Sequence, residues 1–152
     1  MNLSASTYLD TSFVVSLYSG DVNTTAAIAL LQEVQSVRLI SSLVELETVN
    51  AFELRVFRKE FSRSEADACL LNFERDVQAG VYLLQTLPEV VFVRAGTLSR
   101  RLTGRVGTRA ADILHVAAAL EYGATNFFSF DLQQRKMAQA AGLKLFPMPK
   151  RP

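Results

Sequence analysis

Short apolar runs along the chain alternate with longer segments in which apolar residues recur every three or four positions. The short runs predict strands at residues 8–9, 37–40, 126–130 and 144–146, with one more in either 81–84 or 90–93. The longer segments predict helices at residues 11–18, 21–35, 42–60, 62–80, 94–102, 108–122 and 132–141. Since strands alternate with helices, we expect an α/β fold with a parallel sheet covered on both faces.

Polar and glycine residues mark several of the predicted boundaries. Ser62 or Ser64 can cap the fourth helix, and Gly80 follows its end. Thr108 can cap the helix that follows a loop at residues 103–107. These signals define where each helix should begin, so they also define where acidic residues near the helix starts should lie.

Length and composition indicate one globular domain, residues 1–152. Hydrophobic residues make up 49% of the chain and charged residues 20%, with a net charge of +1, so no global field favours nucleic acid or an anionic membrane. The single cysteine excludes an intramolecular disulfide, and residues 1–6 lack the features of a signal peptide. The longest apolar stretch, residues 110–120, is too short to span a bilayer. We therefore expect a cytoplasmic protein without a membrane association.

Four carboxylates stand out: Asp10, Glu47, Asp112 and Asp131. Asp10 and Asp131 follow predicted strands, and the carboxyl ends of parallel strands are where open α/β sheets build their sites. Glu47 and Asp112 lie inside apolar helices, where an unpaired charge is costly. A cluster of these acids would require a divalent cation.

Each acid also has a simpler structural interpretation. Asp10 and Asp131 can be helix N-caps, which contribute about 1 kcal/mol each. The helix dipole favours the negative charge of Asp112 near the start of its helix. His115, one turn beyond Asp112, is predicted to be a hydrogen-bonded core residue rather than a ligand.

Glu47 is the acid that a structural role explains least well. Its neighbours at helical spacing are largely apolar, whereas Glu45 belongs nearer the opposite, solvated side. A buried glutamate requires a cation, either a basic side chain or a metal ion. Hard oxygen ligands without cysteine or clustered histidine favour Mg²⁺ or Mn²⁺. Such an ion can bind a phosphate oxygen and activate water for in-line attack, so the simplest enzyme with these groups is a nuclease.

Arginines lie close to two of these acids in the sequence. Residues 90–111 contain no acid but five arginines, of which the candidates for RNA binding are Arg100, Arg101, Arg105 and Arg109. A second basic set lies beyond Glu47: Arg55, Arg58, Lys59 and Arg63. Charged residues on helix faces are often only solvated, which is the alternative for both sets.

Four segments together resemble the PIN-domain ribonucleases, especially the VapC-type toxins of bacterial and archaeal toxin–antitoxin pairs. They are Tyr-Leu-Asp-Thr-Ser at residues 8–12, Ser-Ser-Leu-Val-Glu-Leu-Glu at 41–47, Ala-Asp-Ile-Leu-His-Val-Ala-Ala-Ala at 111–119 and Ser-Phe-Asp at 129–131. Each segment alone is weak, but their order and spacing are specific, and the resemblance covers nearly the whole chain.

The resemblance implies a three-layer α/β/α sandwich with a central parallel sheet, the PIN-like fold. It assigns the catalytic and metal-binding roles to Asp10, Glu47, Asp112 and Asp131, with the hydroxyls of Ser12 and Ser129 orienting them. It further implies an Mg²⁺- or Mn²⁺-dependent endoribonuclease that cuts RNA such as tRNA or rRNA. A cognate antitoxin and a homodimer are the implied protein partners.

Other functions fit the sequence less well. A haloacid-dehalogenase-type phosphatase needs a second acid two residues after the first, where this chain has Ser12. A phosphoacceptor receiver domain needs an early acid pair and a central aspartate at a strand end, and neither is found. A PIN-like RNA-processing protein outside a toxin–antitoxin pair, or a non-catalytic partner-binding module, remains an alternative.

Overall fold

Four parallel strands form the centre of the fold in the described residues, 5–148. In this computed structural model the strands are β1 (Ser6–Leu9), β2 (Val37–Ser41), β3 (Leu83–Gln85) and β4 (Asn126–Phe128), in the order β3-β2-β1-β4. Tyr8 of β1 is in register with Leu39 of β2 and with Phe127 of β4. Since all pairs are parallel, the carboxyl ends of the strands lie at one edge of the sheet.

Helices pack on the sheet in two groups. Helices α1 to α4 contact one another, and α5, α7 and α8 form the second group. The helices are α1 (Thr11–Ser19), α2 (Thr24–Glu33), α3 (Ser42–Phe57), α4 (Arg63–Gln78), α5 (Glu89–Leu98), α6 (Gly104–Val106), α7 (Ala110–Glu121) and α8 (Leu132–Ala140), with a π-helical turn at Ser99–Thr103. The predicted α/β/α sandwich with a parallel sheet is therefore confirmed.

Aromatic side chains fill much of the core. Tyr8 and Phe127, neighbours on the sheet, stack with ring centroids 5.4 Å apart. Phe13 stacks on Phe130 at 5.3 Å, and Phe146 meets Phe128 edge-on at 5.0 Å. These contacts join α1 to the segment that follows β4, so they hold together the two chain regions that place Asp10 and Asp131.

The two apolar runs at residues 81–84 and 90–93 adopt different structures. The first leads into β3, the strand predicted in one of these two runs, whereas the second lies in α5 and forms no strand. Helix α5 begins after Pro88, five residues earlier than predicted. It buries Val91, Ala95 and Leu98, which are spaced at four and three positions and thus share one helix face.

Two predicted strands are shorter than expected. Strand β4 ends at Phe128 because the next backbone N–H groups bond to side chains: Phe130 N–H donates to Ser12 Oγ and Asp131 N–H to Ser129 Oγ. The predicted strand at 144–146 forms a single parallel bridge, between Lys144 and Asn126. The chain directly after β4 is therefore held by hydrogen bonds to the Ser12 and Ser129 side chains rather than by pairing with a neighbouring strand.

The segment before α7 also differs from the prediction. Residues 104–106 form a helical turn rather than part of a loop, and the chain reverses at Gly107, whose φ of 72° favours glycine. The N-cap of α7 is Arg109, not Thr108. The Thr108 hydroxyl is buried and has no hydrogen-bond partner within residues 5–148.

No single helix among residues 5–148 has the length and hydropathy to cross a membrane. Helices α1 and α2 meet the length and composition criteria only as a pair, and they are bent by 110° with respect to each other. Residues 1–4, which contributed to the prediction that no signal peptide is present, lie outside the described residues.

We predict that Ser62→Ala destabilises the protein and that Ser64→Ala does so much less. Ser62 Oγ accepts from the Glu65 N–H, and Glu65 Oε2 accepts from the Ser62 N–H at 2.7 Å, so Ser62 forms a capping box at the start of α4. Loss of this cap should cost about 1 kcal/mol, or about 2–4 °C in Tm. Thermal melts of both variants measure this, and equal losses would contradict it.

Candidate functional site

Asp10 lies directly after β1 and is almost completely buried, at 2% exposure. Its Oδ1 accepts from the Phe13 N–H at 2.9 Å and from Ser12 Oγ at 2.7 Å, and its Oδ2 accepts from Ser129 Oγ. Burial raises the pKa of Asp10, although positive charge on His115 and these hydrogen bonds favour the ionised form. Asp10 is thus both the N-cap of α1 and a desolvated carboxylate at the sheet edge.

Ser12 and Ser129 link the acids at the ends of β1 and β4. Both donate to Asp10, and Ser129 Oγ also accepts from the Asp131 N–H at 3.0 Å. Their positions match the orienting role that the sequence resemblance implies. Loss of either hydroxyl would therefore remove a hydrogen bond that orients the Asp10 carboxylate.

Glu47 is half-buried on α3, and its environment is less apolar than expected. Leu46, a residue of the predicted apolar face, is 66% exposed. Glu47 Oε1 accepts from Thr11 Oγ1 at 2.8 Å and from His115 Nε2. Burial opposes ionisation of Glu47, but the hydrogen bond from His115, its positive charge and the hydrogen bond from Thr11 together lower the pKa of Glu47.

His115 connects Glu47 to the core. It is 2% exposed, and its Nδ1 lies 2.9 Å from the Tyr8 hydroxyl, which in turn is 2.8 Å from Ser41 Oγ. The prediction that His115 is a hydrogen-bonded core residue is confirmed. Its bond to Glu47 was not predicted, nor were Tyr8 and Thr11 as residues of the site; the available signal was the position of His115 one helical turn beyond Asp112.

Asp112 and Asp131 interact electrostatically with each other. Burial and, next, the negative charge of Asp131 raise the pKa of Asp112, which lies in the first turn of α7. Asp131 is exposed and caps α8 by accepting from the Gln134 N–H at 2.8 Å. Ser129 joins Asp131 to Asp10, and His115, one turn beyond Asp112, bonds Glu47, so the fold brings the four predicted acids to one region.

Glu45 lies on a different part of the surface. It lines a cavity of about 330 Å³ between α3 and α4, together with Val49, Phe73 and Glu74. Glu47 instead contacts α1 and α7 through Thr11 and His115. The geometry therefore favours Glu47 over Glu45 as the acid of the site.

The four candidate RNA-binding arginines differ in their described relation to the acids. All four are exposed, and the charge of Arg109 acts on Asp112 and lowers the pKa of that carboxyl against the larger effect of burial. Arg101 lines a cavity with Leu120 and Ala141, near the opposite end of α7 from Asp112. No contact in residues 5–148 joins Arg100 or Arg105 to the acids. Only Arg109 is thus placed beside them.

The donor atoms fit a hard divalent cation. Residues 5–148 contain no group of three or more His, Cys, Asp or Glu side chains arranged to hold a metal ion. Mg²⁺, however, keeps several waters and is commonly bound through one or two carboxylates. Asp112 and Asp131 are mutually repelling carboxylates, and Glu47 uses only Oε1 for its hydrogen bonds to described residues. A cation would relieve this repulsion.

Comparison with known proteins identifies the family. The family model described as "PIN domain" matches residues 7–140, so the chain belongs to the PIN-domain family. The phosphatase and receiver-domain interpretations are therefore set aside. No curated protein sequence matches the chain.

Solved structures show the same fold at low sequence identity. VapC20 of Mycobacterium tuberculosis, described as a toxin that cleaves the sarcin–ricin loop, is 22% identical with a TM-score of 0.66, covering 91% of this chain and 96% of that one. VapBC2 of Rickettsia felis, bound to a promoter DNA fragment, is 17% identical with a TM-score of 0.64, covering 93% and 97%. FitAcB of Neisseria gonorrhoeae is 16% identical with a TM-score of 0.67, covering 93% and 96%.

We predict that Asp112→Asn stabilises the metal-free protein at neutral pH. Because the folded state raises the pKa of Asp112, ionisation of this carboxyl group lowers the free energy of unfolding. This loss of stability is complete at pH values above the folded-state pKa and disappears below the unfolded-state pKa of about 3.9. The side chain is partly exposed, so the gain should stay below about 1 kcal/mol, or at most about 2–4 °C. Thermal melts with chelator at neutral and acidic pH measure it. A variant that melts below the wild type at neutral pH would contradict the expected repulsion.

Proposed function

We propose that this PIN-domain protein is an Mg²⁺- or Mn²⁺-dependent endoribonuclease and the toxin of a toxin–antitoxin pair. The main support is the arrangement of Asp10, Glu47, Asp112 and Asp131, four acids from separate elements. Ser129 joins Asp10 to Asp131, the charge of Asp131 acts on Asp112, and His115, one turn beyond Asp112, bonds Glu47. The PIN family and the similarity to VapC structures support the same function. The proposed unit is one PIN-like domain over residues 1–152, acting in the cytoplasm.

In this proposal the acids hold a divalent ion, which supplies charge neutralisation at the phosphate and a more acidic bound water. Asp112 and Asp131 present carboxylate oxygens from the starts of α7 and α8. Asp10 is fixed by three donors, and its second oxygen, Oδ2, accepts from Ser129, the residue that also bonds the Asp131 N–H. The pKa of Glu47 is lowered by His115 and Thr11, so its carboxylate would be ready to accept a hydrogen bond or a proton from the attacking water.

The proposed substrate is RNA, with tRNA or rRNA as the class. VapC20 is described as cleaving the sarcin–ricin loop, and this chain shares its fold, which supports an RNA target of that general kind. Arg109, whose charge acts on Asp112, is the candidate that would bind a phosphate beside the acids.

The proposed protein partners are a cognate antitoxin and a second copy of this chain. The VapBC2 structure is described as bound to a promoter DNA fragment, and this chain covers 97% of the chain that it matches there. We propose that the antitoxin inserts an arginine whose guanidinium pairs with the acids in place of the metal ion. Inhibition would then act at the site of chemistry itself.

We predict that Asp112→Asn and Glu47→Gln each reduce RNA cleavage by about 10²–10³-fold with the fold intact, since each removes a negative charge at nearly constant shape. Glu45→Gln is the matched control, because it changes the neighbouring glutamate on the same helix but lies at the α3–α4 cavity. Cleavage of labelled tRNA and rRNA with Mg²⁺, Mn²⁺ or excess chelator is the assay. Undiminished cleavage in chelator, or a larger loss in Glu45→Gln than in Glu47→Gln, would refute the assignment.

We also predict that partner binding and metal binding compete. Isothermal titration of the toxin with its antitoxin should give a weaker affinity at saturating Mn²⁺, and Asp131→Asn should weaken the complex by removing one carboxylate that the arginine would contact. An affinity independent of Mn²⁺, together with an inhibited complex that still binds Mn²⁺ fully, would show that the antitoxin acts elsewhere.

A further inference from the structure

Arg55 is the member of the second basic set that faces the candidate site. It lies in the last turn of α3 and lines a cleft of about 480 Å³ whose other walls include Thr11, Ser12, Phe130 and Asp131. The cleft therefore runs from Asp131, after β4, to an arginine on α3. Its volume is within the range of about 300–1,000 Å³ that is typical of ligand sites.

The position of Arg55 is defined by two aromatic rings. Its guanidinium carbon lies 5.6 Å from the centroid of Phe52 and 5.1 Å from that of Phe61. Phe61 is brought there by the turn after α3, in which its own N–H and that of Glu60 bond to the Arg55 carbonyl and Lys59 adopts a φ of 60°. A planar cation held against aromatic faces keeps its N–H donors available at its edge.

No carboxylate among residues 5–148 lies within 4 Å of Arg55 to form an ion pair. Arg63, by contrast, pairs with Glu53 at 2.6 Å and with Asp67 at 3.0 Å. Asp21, which also lines the cleft, accepts hydrogen bonds from Ser16, Ser19 and the Asn23 N–H within its own turn. Arg55 is therefore a positioned cation whose charge remains available to an anionic ligand.

We propose that Arg55 binds a backbone phosphate of single-stranded RNA in the cleft beside Asp131, next to the bond that is cut. This inference rests on the proposed nuclease function and adds a substrate-binding residue to it. A basic side chain combined with aromatic surface in a groove is the general means by which proteins bind single-stranded nucleic acid. Arginine suits this role because its fork can contact one phosphate with two N–H groups.

The test is RNA binding by fluorescence anisotropy, with a labelled single-stranded RNA 20-mer of mixed sequence and Mn²⁺. All proteins have the Glu47→Gln background, so that the RNA stays intact. Adding Arg55→Gln should weaken binding about tenfold and reduce the slope of log Kd against log salt by about 0.7, the value for one lost phosphate contact. Arg55→Lys should restore the slope but only part of the affinity.

Arg58→Gln is the matched control, since it removes an equal charge from an exposed residue just past the same helix. It should change the affinity less than twofold. Arg55→Met, whose apolar chain can still pack on Phe52 and Phe61, replaces Arg55→Gln if circular dichroism shows that the latter is unfolded. A lower Tm with an unchanged salt slope would mean that Arg55 only stabilises the fold, and would overturn the proposal.

The outcomes also separate this inference from the proposed function. If the wild type cleaves RNA and Arg55→Gln binds RNA like its parent, the phosphate role is wrong and the nuclease function stands. If the wild type neither binds nor cleaves RNA, both are wrong. Equal losses in Arg55→Gln and Arg58→Gln would show a nonspecific charge effect and would also overturn the role of Arg55.

Discussion

The burial of the Asp10 carboxylate is the constraint on which the candidate site depends. A carboxylate with 2% exposure stays in a folded core only if hydrogen-bond donors surround it, and here the donors come from Ser12, the Phe13 backbone and Ser129. Those residues lie at the start of α1 and directly after β4. The hydrogen bonds to one buried carboxylate therefore fix the positions of both chain segments. The same Ser129 hydroxyl accepts from the Asp131 N–H and thereby places a second acid at the sheet edge.

A second buried connection places the helices. The hydroxyls of Ser41 and Tyr8 lead from the sheet to His115 on α7, and His115 bonds Glu47 on α3. The described partner of Glu47 is thus a histidine side chain, and a metal ion is proposed in addition to it rather than in its place. His115 is buried and hydrogen-bonded at both ring nitrogens, so it restricts the position of α7 relative to α3. Asp112 and Glu47 lie on these two helices, and their separation is restricted in the same way.

The sequence was informative where the signals are local. Strand ends followed by an acid and a helix start located Asp10 and Asp131, and the apolar periodicity gave the parallel α/β/α architecture. The bond between Glu47 and His115 joins residues 68 positions apart, so no local pattern could reveal it. The setting of Arg55 also depends on distant residues: the turn after α3 brings Phe61 to its guanidinium, and the cleft that Arg55 lines is completed by Thr11 and Asp131.

We propose that these acids bind a divalent ion at the carboxyl edge of the sheet. Crystals grown with Mn²⁺ and measured for anomalous scattering would locate such an ion directly. We expect an anomalous peak in contact with carboxylate oxygens of Asp112 and Asp131, at metal–oxygen distances of about 2.0–2.3 Å, with Asp10 and Glu47 bound directly or through water. Strong Mn²⁺ binding confined to another place, such as Glu45 and Glu74 in the α3–α4 cavity, would contradict it.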